Sequence, residues 1–187
     1  MREAVMDFPL AYILAEEAGS VDPVLLEASV RLKAAGVRLA GTVALPSAVE
    51  AGHPCETDLL VLPDGPQICI SQKLGRYSRG CRLDPAALEE VVMQVQLSCA
   101  EEPAGAFLLN KFGRQEGEGR GFRDLIAGHL AAACPVVTGV NGLNLPAFEA
   151  FADGLATRLP CDVEAVVEWV LSASREAQLS GAVAEPA

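Results

Sequence analysis

The stretch GAFLLNKFGRQEGEGRGFRDLIAGHLAAACPVVTGV, residues 105–140, decides the fold class. It begins with a short apolar run, Gly105–Asn110, of the kind found in buried strands. A glycine-rich segment and a helical pattern marked by Phe122 and Ile126 follow, and a second apolar run comes at Pro135–Val140. Two buried strands joined by a helix make a β-α-β unit, which predicts parallel strands in one sheet.

The same alternation continues towards the N-terminus. Leu10–Ala15 is predicted as the first strand and Val37–Leu45 as the second. Between them, Asp22 is predicted to cap a helix that has Pro23 at its first position and ends at Gly36.

Other segments complete the predicted sheet and its helices. DLLVL at residues 58–62, the turn PDGP and then QICIS predict an antiparallel hairpin. Asp84 and Asp162 are predicted to cap two further helices. We therefore expect an α/β fold in three layers, a mostly parallel sheet with one antiparallel hairpin and right-handed crossovers.

The length of 187 residues suits one domain. We predict that residues 10–176 form it, with flexible ends at residues 1–9 and 177–187.

The composition excludes several classes of function. The net charge of −11 argues against nonspecific binding to nucleic acid or to an anionic membrane. No apolar stretch approaches the roughly 20 residues that span a bilayer. The six cysteines are scattered and form no C-x-x-C pair, so a cytoplasmic protein with reduced thiols is expected. Its partners should be small molecules or proteins.

The basic residues are concentrated in two glycine-bearing segments. Four of the 14 Lys and Arg residues lie within residues 73–82 and four more within residues 111–123. Both segments follow predicted strands, and ligands of such sheets bind at the carboxyl ends of strands. Arginine recognises phosphate or carboxylate with a planar fork, and glycine lets backbone N–H groups approach an anion. The predicted anion-binding residues are Lys73, Arg76, Arg79, Gly80, Arg82, Asn110, Lys111, Gly113, Arg114, Arg120, Gly121 and Arg123.

An alternative interpretation is that these loops are simply solvated, or that their cations pair with nearby carboxylates. Glu116 and Glu118 lie inside the second segment, where they would neutralise Arg114 and Arg120.

Other reactive side chains give weaker signals. His53 and Cys55 lack a third metal ligand close in sequence, and His129 is expected at the edge of the core. Cys81 has basic neighbours that would lower the pKa of its thiol, although an inert cysteine is the more common case. Glu16, Asp22 or Glu116 are the weak candidates for holding Mg²⁺. The sequence contains no G-x-S-x-G motif for a serine nucleophile.

Two blocks carry a family resemblance. ISQKLGRYSRGCRLDPAALEE, residues 70–90, and LLNKFGRQEGEGRGFRDLIA, residues 108–127, resemble the signature blocks of a bacterial domain family of unknown function, family 2478. That family is similar to small P-loop nucleoside triphosphatases and nucleotide-kinase-like proteins. The resemblance implies a P-loop-type α/β fold and a connection with molybdenum transport, but no specific activity.

The chain departs from the P-loop pattern at the decisive place. P-loop proteins wrap phosphates with G-x-x-x-x-G-K-[ST] after the first strand. Here that place reads EEAGSVD, residues 16–22, with one glycine, no lysine and three carboxylates. Asn110 and Lys111 also stand where the relatives carry an acidic pair. Both departures argue against ordinary ATP hydrolysis.

Three hypotheses follow from these observations. The first is a nucleotide- or oxyanion-binding module without the standard P-loop, acting as an accessory or regulatory protein in metal or cofactor metabolism. The second is a divergent Mg²⁺-dependent nucleoside triphosphatase or phosphotransferase. The third is a protein-interaction domain whose basic loops dock an acidic partner.

Overall fold

The computed structural model of the protein describes residues 8–46, 57–72 and 83–182. Its strands are β1 (Leu10–Ala15), β2 (Leu39–Leu45), β3 (Asp58–Val61), β4 (Gln67–Cys69), β5 (Ala106–Phe112), β6 (Val136–Asn141) and β7 (Thr157–Leu159). Its helices are α1 (Asp22–Ala34), α2 (Pro85–Glu101), α3 (Arg114–Gly117), α4 (Arg123–Ala131), α5 (Leu145–Ala152) and α6 (Val163–Ala182).

The strands form one sheet in the order β4-β3-β2-β5-β6-β1-β7. Strands β2, β5, β6, β1 and β7 are parallel to one another. β3 pairs antiparallel with both β2 and β4, so β4 points in the same direction as β2. The fold is therefore the mostly parallel, P-loop-NTPase-like α/β fold with an antiparallel hairpin that the sequence predicted.

Each face of the sheet carries its own apolar core. Helices α1 and α6 cover one face, where Leu25 and Val166 are fully buried. Helices α2, α4 and α5 cover the other face, where Val91, Ile126 and Phe148 are buried. A parallel sheet covered on both faces explains why its strands read as continuous apolar runs in the sequence.

Gly41 allows an unusually close contact in the middle of this sheet. Its φ is +101°, a backbone conformation that side chains rarely adopt. A Cβ placed on Gly41 would lie 1.9 Å from the carbonyl oxygen of Leu108 in β5. β2 and β5 can therefore pair here only because residue 41 has no side chain.

The predicted start of α1 is wrong in one respect. Asp22 is the first helical residue, and the N-cap residue is Val21, whose helical backbone continues the preceding turn. By contrast, the Asp84 carboxylate accepts hydrogen bonds from the N–H groups of Ala86 (2.9 Å) and Ala87, as predicted. Asp162 likewise accepts one from Ala165 at 3.0 Å.

Four elements differ from the sequence prediction. β5 continues through Phe112, because that side chain is buried and the residue pairs with Val140. β7 and α3 were not predicted, since three or four residues are too short to show periodicity. α6 reaches Ala182, past the predicted start of the tail at residue 177. Among the described helices, none combines the length and apolarity needed to cross a bilayer.

Candidate anion-binding site

The carboxyl ends of β1 and β6 mark the point where the chain connections diverge. From β1 the chain passes through α1, on one face, to β2. From β6 it passes through α5, on the opposite face, to β7. Since β1 and β6 are neighbours, the two outgoing connections part here to opposite faces of the sheet. Open α/β sheets bind their ligands at this kind of switch point.

The turn between β1 and α1 occupies the place of a P-loop. Gly19 has a φ of +77°, and its carbonyl accepts a hydrogen bond from the N–H of Asp22 at 3.2 Å. The turn lies directly on β6, because a Cβ on Gly139 would come within 3.1 Å of Val21 Cγ1. The hydroxyl of Ser20 is buried and has no hydrogen-bond partner among the described residues.

Asp22 and Lys111 interact across this edge of the sheet. Burial raises the pKa of the Asp22 carboxyl above its ordinary value, and the nearby Lys111 ammonium partly offsets that rise. Lys111 is exposed and takes part in none of the ion pairs seen within residues 8–46, 57–72 and 83–182. An exposed lysine without a tight carboxylate partner is available to an incoming anion.

Neighbouring polar side chains complete the edge. The Thr42 hydroxyl donates to Asn110 Oδ1 at 3.1 Å, which fixes the Asn110 amide. Asn141 Oδ1 accepts from both the backbone N–H and the side-chain amide of Asn144 at 2.9 Å. Thr42, Asn141 and Asn144 were not among the predicted site residues. The signal in the sequence that could have pointed to this turn is the Asn-Gly pair at the end of β6, residues 141–142.

The second basic segment already holds an anion of its own. Glu116 is only 4% exposed. Its Oε2 accepts a hydrogen bond from the Gly113 N–H at 2.8 Å, and its Oε1 accepts one from the Phe122 N–H at 3.1 Å. Gly121 makes room for this carboxylate, since a Cβ there would lie 2.3 Å from Glu116 Oε1. The glycines do let backbone N–H groups approach an anion, and that anion is Glu116.

The arginines of this segment also have partners within the chain. Arg114 Nε donates to Glu118 at 2.5 Å, and Arg120 forms an ion pair with the same carboxylate. Arg123 donates to the carbonyl of Glu116 at 3.1 Å and stacks over Phe151, with Cζ 4.7 Å from the ring centroid. A ligand that used these side chains would have to displace those partners.

The first basic segment lies outside the described residues. Five predicted anion-binding residues therefore lie outside the described part of the chain: Lys73, Arg76, Arg79, Gly80 and Arg82. Three weaker candidates also lie outside it: Cys81, His53 and Cys55. The residues that flank the segment are described. Ser71 and Leu83 form an antiparallel bridge, and the Asp84 N–H donates to the Ile70 carbonyl at 2.7 Å. The described residues on either side of the segment are therefore adjacent to each other next to β4.

His129 has a packing role, as the sequence indicated. Its Nδ1 lies 2.7 Å from the carbonyl oxygen of Leu125, which can only accept, so Nδ1 carries the hydrogen. Its ring centroid lies 4.5 Å from that of Phe107, and Nε2 lies 3.7 Å from Cys99 Sγ. In the described part of the chain, no three His, Cys, Asp or Glu side chains are grouped to hold a metal ion.

Comparison with known proteins identifies the family. Residues 10–169 match the profile of a family described as a protein of unknown function, DUF2478. The chain belongs to the DUF2478 family. This agrees with the resemblance of the two signature blocks and covers the whole sheet described above.

One curated relative connects the DUF2478 chain with a transport protein. The chain is 32% identical over 162 residues to the molybdenum import ATP-binding protein ModC 2 of Bradyrhizobium diazoefficiens. The aligned region covers 86% of the DUF2478 chain and 18% of the relative. No solved structure matches the chain at a significant level.

Proposed function

We propose that this domain binds a nucleotide or another small oxyanion at the carboxyl edge of its sheet, without a standard P-loop, and acts as an accessory or regulatory domain. The observation that carries the proposal is the shared direction of β4 and β5. Both run parallel to β2, so the two basic segments leave the sheet from the same edge.

The register of the strands supports a common pocket. Cys69 at the end of β4 pairs with Asp58, which pairs with Leu45 at the carboxyl end of β2. The order β4-β3-β2-β5 separates β4 from β5 by three strand spacings, about 14 Å in all. Long arginine and lysine side chains from both sides can bridge much of that distance around one ligand.

We expect the residues of the proposed site to contribute unequally to ligand binding. Lys111 and Asn110 contribute from β5, and the cations of residues 73–82 contribute from the β4 side. Arg114, Arg120 and Arg123 are secondary, because their guanidinium groups already have partners in the chain. Gly113 and Gly121 serve the ligand only indirectly, by holding the Glu116 carboxylate inside the loop.

The acidic turn sets a condition on the ligand. Glu16, Glu17 and Asp22 lie at the end of β1 and would repel a triphosphate. A divalent cation between these carboxylates and the phosphates would remove that repulsion, so the proposal includes stronger binding of ATP or GTP with Mg²⁺. A single-charged oxyanion beside Lys111 does not need the metal.

The relative supports the choice of ligand class. It is named as an ATP-binding protein of molybdenum import, so both a nucleotide and molybdate are reasonable candidates for a domain that resembles part of it. The aligned region is 18% of that protein, so the relative's activity as a whole is not assigned to this chain. What we propose for the chain is a role in regulating such a system.

Isothermal titration calorimetry tests the proposal. ATP, GTP, phosphate, sulfate and molybdate would each be titrated with and without Mg²⁺ into the protein and into Lys111→Ala and Arg120→Ala. We expect saturable binding of at least one ligand, weakened about tenfold or more by Lys111→Ala, as for a charge-assisted hydrogen bond. Arg120→Ala is the control, because Arg120 is already paired with Glu118.

Two results would overturn the proposal. One is that none of these ligands binds, and the other is that Lys111→Ala binds as tightly as the parent protein. Release of inorganic phosphate from ATP or GTP in the presence of Mg²⁺ would replace the binding module with the hydrolase hypothesis.

A further inference from the structure

A cavity of about 460 Å³ lies at the edge of the sheet where the parallel strands begin, opposite the carboxyl edge. Its walls come from the residues just before β2, β5 and β6 and from the second half of α6. It is separated from the carboxyl-edge site by the full length of the strands. Its volume falls in the range of pockets that hold small organic molecules.

The charges in this cavity are unlike those of the rest of the chain. The chain has a net charge of −11, yet the described residues that line the cavity include Arg38 and Arg175 and no Asp or Glu. Arg38 is paired with Glu102, which is not part of the lining, and Arg175 forms none of the ion pairs among the described residues, so the lining carries a local excess of positive charge.

Arg38 has an unused hydrogen-bond donor. Its Nε donates to Glu102 at 2.9 Å, and its Nη2 donates to the carbonyl of Ser98 at 3.0 Å. Its Nη1 is buried and has no partner among the described residues. A buried donor without a partner costs roughly 1–3 kcal/mol, and such a group often marks the place of a bound water or ion.

Arg175 contributes to the cavity from α6. It is exposed on α6 and forms no ion pair or hydrogen bond with the described residues. One turn earlier in α6, Leu171 adds an apolar surface, and Val37 and several alanines extend it. The cavity therefore offers positive charge for an anionic group and an apolar wall for a carbon skeleton.

We propose that this amino-edge cavity binds a small organic anion, whose carboxylate or phosphate lies between Arg38 and Arg175 and whose apolar body contacts Val37 and Leu171. The site is distinct from the carboxyl-edge site and does not depend on the function proposed there. Two arginines favour a planar or tetrahedral oxyanion that can accept several hydrogen bonds at once.

Calorimetric titration with phenyl phosphate, benzoate and inorganic phosphate tests this site. The first two probes carry an apolar body and distinguish a phosphate from a carboxylate head group, and the third lacks the apolar body. We expect phenyl phosphate or benzoate to bind more tightly than inorganic phosphate. Arg175→Gln should weaken that binding about tenfold or more, since it removes one charge-assisted contact.

Two further variants make the result specific. Arg175 is exposed, so Arg175→Gln should keep the fold, which circular dichroism can verify. Arg38→Lys retains the positive charge but loses the fork, and should weaken binding as well. Arg31→Gln is the matched control, because Arg31 is an exposed arginine outside both proposed sites and is paired with Glu27 and Glu164; it should change the dissociation constant of these probes less than twofold. Equal binding by Arg175→Gln and the parent protein, the absence of saturable binding, or a loss as large in Arg31→Gln as in Arg175→Gln would each overturn the proposal.

Discussion

Gly121 and Glu116 fit together inside the loop that follows β5: a Cβ on Gly121 would lie 2.3 Å from Glu116 Oε1. The same oxygen accepts a hydrogen bond from the Phe122 N–H, and the other carboxylate oxygen accepts one from the Gly113 N–H. A glutamate therefore fills the position that a bound anion would take, and the loop is ordered by its own side chain.

Gly121→Ala should destabilise the protein by about 2–4 kcal/mol. The substitution combines a left-handed backbone, φ +59°, with the clash against the buried carboxylate. Gly119→Ala is the matched control, because Gly119 is also left-handed, φ +85°, but has open space around it. Urea unfolding should show a cost of only about 1–2 kcal/mol for the control. Equal costs for the two variants would show that the Glu116 contact is unimportant.

Glu116→Gln should cost about 1–3 kcal/mol in the free energy of unfolding. A glutamine amide offers one oxygen where the carboxylate offered two, so one of the two backbone N–H groups loses its acceptor. The exposed Glu118 provides the comparison, and Glu118→Gln should have a much smaller effect in the same denaturant titration. Hydrogen exchange of the Gly113 and Phe122 amides should also become faster in Glu116→Gln alone.

Asp22→Asn should stabilise the protein at pH 7 by less than about 1 kcal/mol, because the carboxyl group is only half buried and water screens it. Burial raises the folded-state pKa of Asp22 above its ordinary value of 3.8. The folded chain thus keeps this proton to a higher pH than the unfolded chain. The free energy of unfolding therefore falls as the pH rises from 3.8, the ordinary value, to the folded-state pKa. The gain from Asp22→Asn should be complete above the folded-state pKa and should disappear below pH 3.8.

A double-mutant comparison checks the cause. Lys111 lowers the pKa of Asp22, so the stabilisation from Asp22→Asn at pH 7 should be larger in a Lys111→Ala background. An identical gain in both backgrounds would mean that the two side chains do not interact.

Asp84→Ala should destabilise the protein by about 1 kcal/mol, the usual cost of losing an N-cap side chain. The Asp84 carboxylate accepts hydrogen bonds from the backbone N–H groups of Ala86 and Ala87. Asp22→Ala should show no such loss at pH 7, although the sequence assigns both aspartates the same role. Thermal unfolding of the two variants distinguishes them directly.

Cys134 should resist alkylation in the folded protein at pH 8. Burial raises the pKa of its thiol to about 12, so almost no thiolate forms. Cys69 is exposed and serves as the internal control. Mass spectrometry after a short iodoacetamide pulse should find Cys69 labelled and Cys134 labelled only after unfolding; comparable rates would contradict the burial of Cys134.

The sequence predicts the central sheet well because its signal is local. Leu10–Ala15 is predicted with the observed bounds, and the hairpin is found where DLLVL and QICIS flank the PDGP turn. β7 escapes prediction because its three residues are too few to show a periodic pattern.

The candidate site is less predictable, and for a specific reason. The concentration of cations is visible in the sequence, but their partners depend on the loop conformation. Glu118 pairs with both Arg114 and Arg120, whereas Glu116 turns inward, although the two glutamates are two residues apart and chemically the same. Glu116 is held inward by the Gly113 and Phe122 N–H groups, and Gly121 leaves room for its carboxylate.

The contact between Gly41 and the Leu108 carbonyl has a consequence for comparing members of the family. At a separation of 1.9 Å, even a methyl group would force two central strands apart, and the surrounding side chains cannot compensate for a displaced backbone. A homologue with any larger residue at the aligned position must therefore have rearranged the middle of its sheet. That one position can be read in an alignment as a diagnostic of whether the geometry described for this chain can be transferred to a relative.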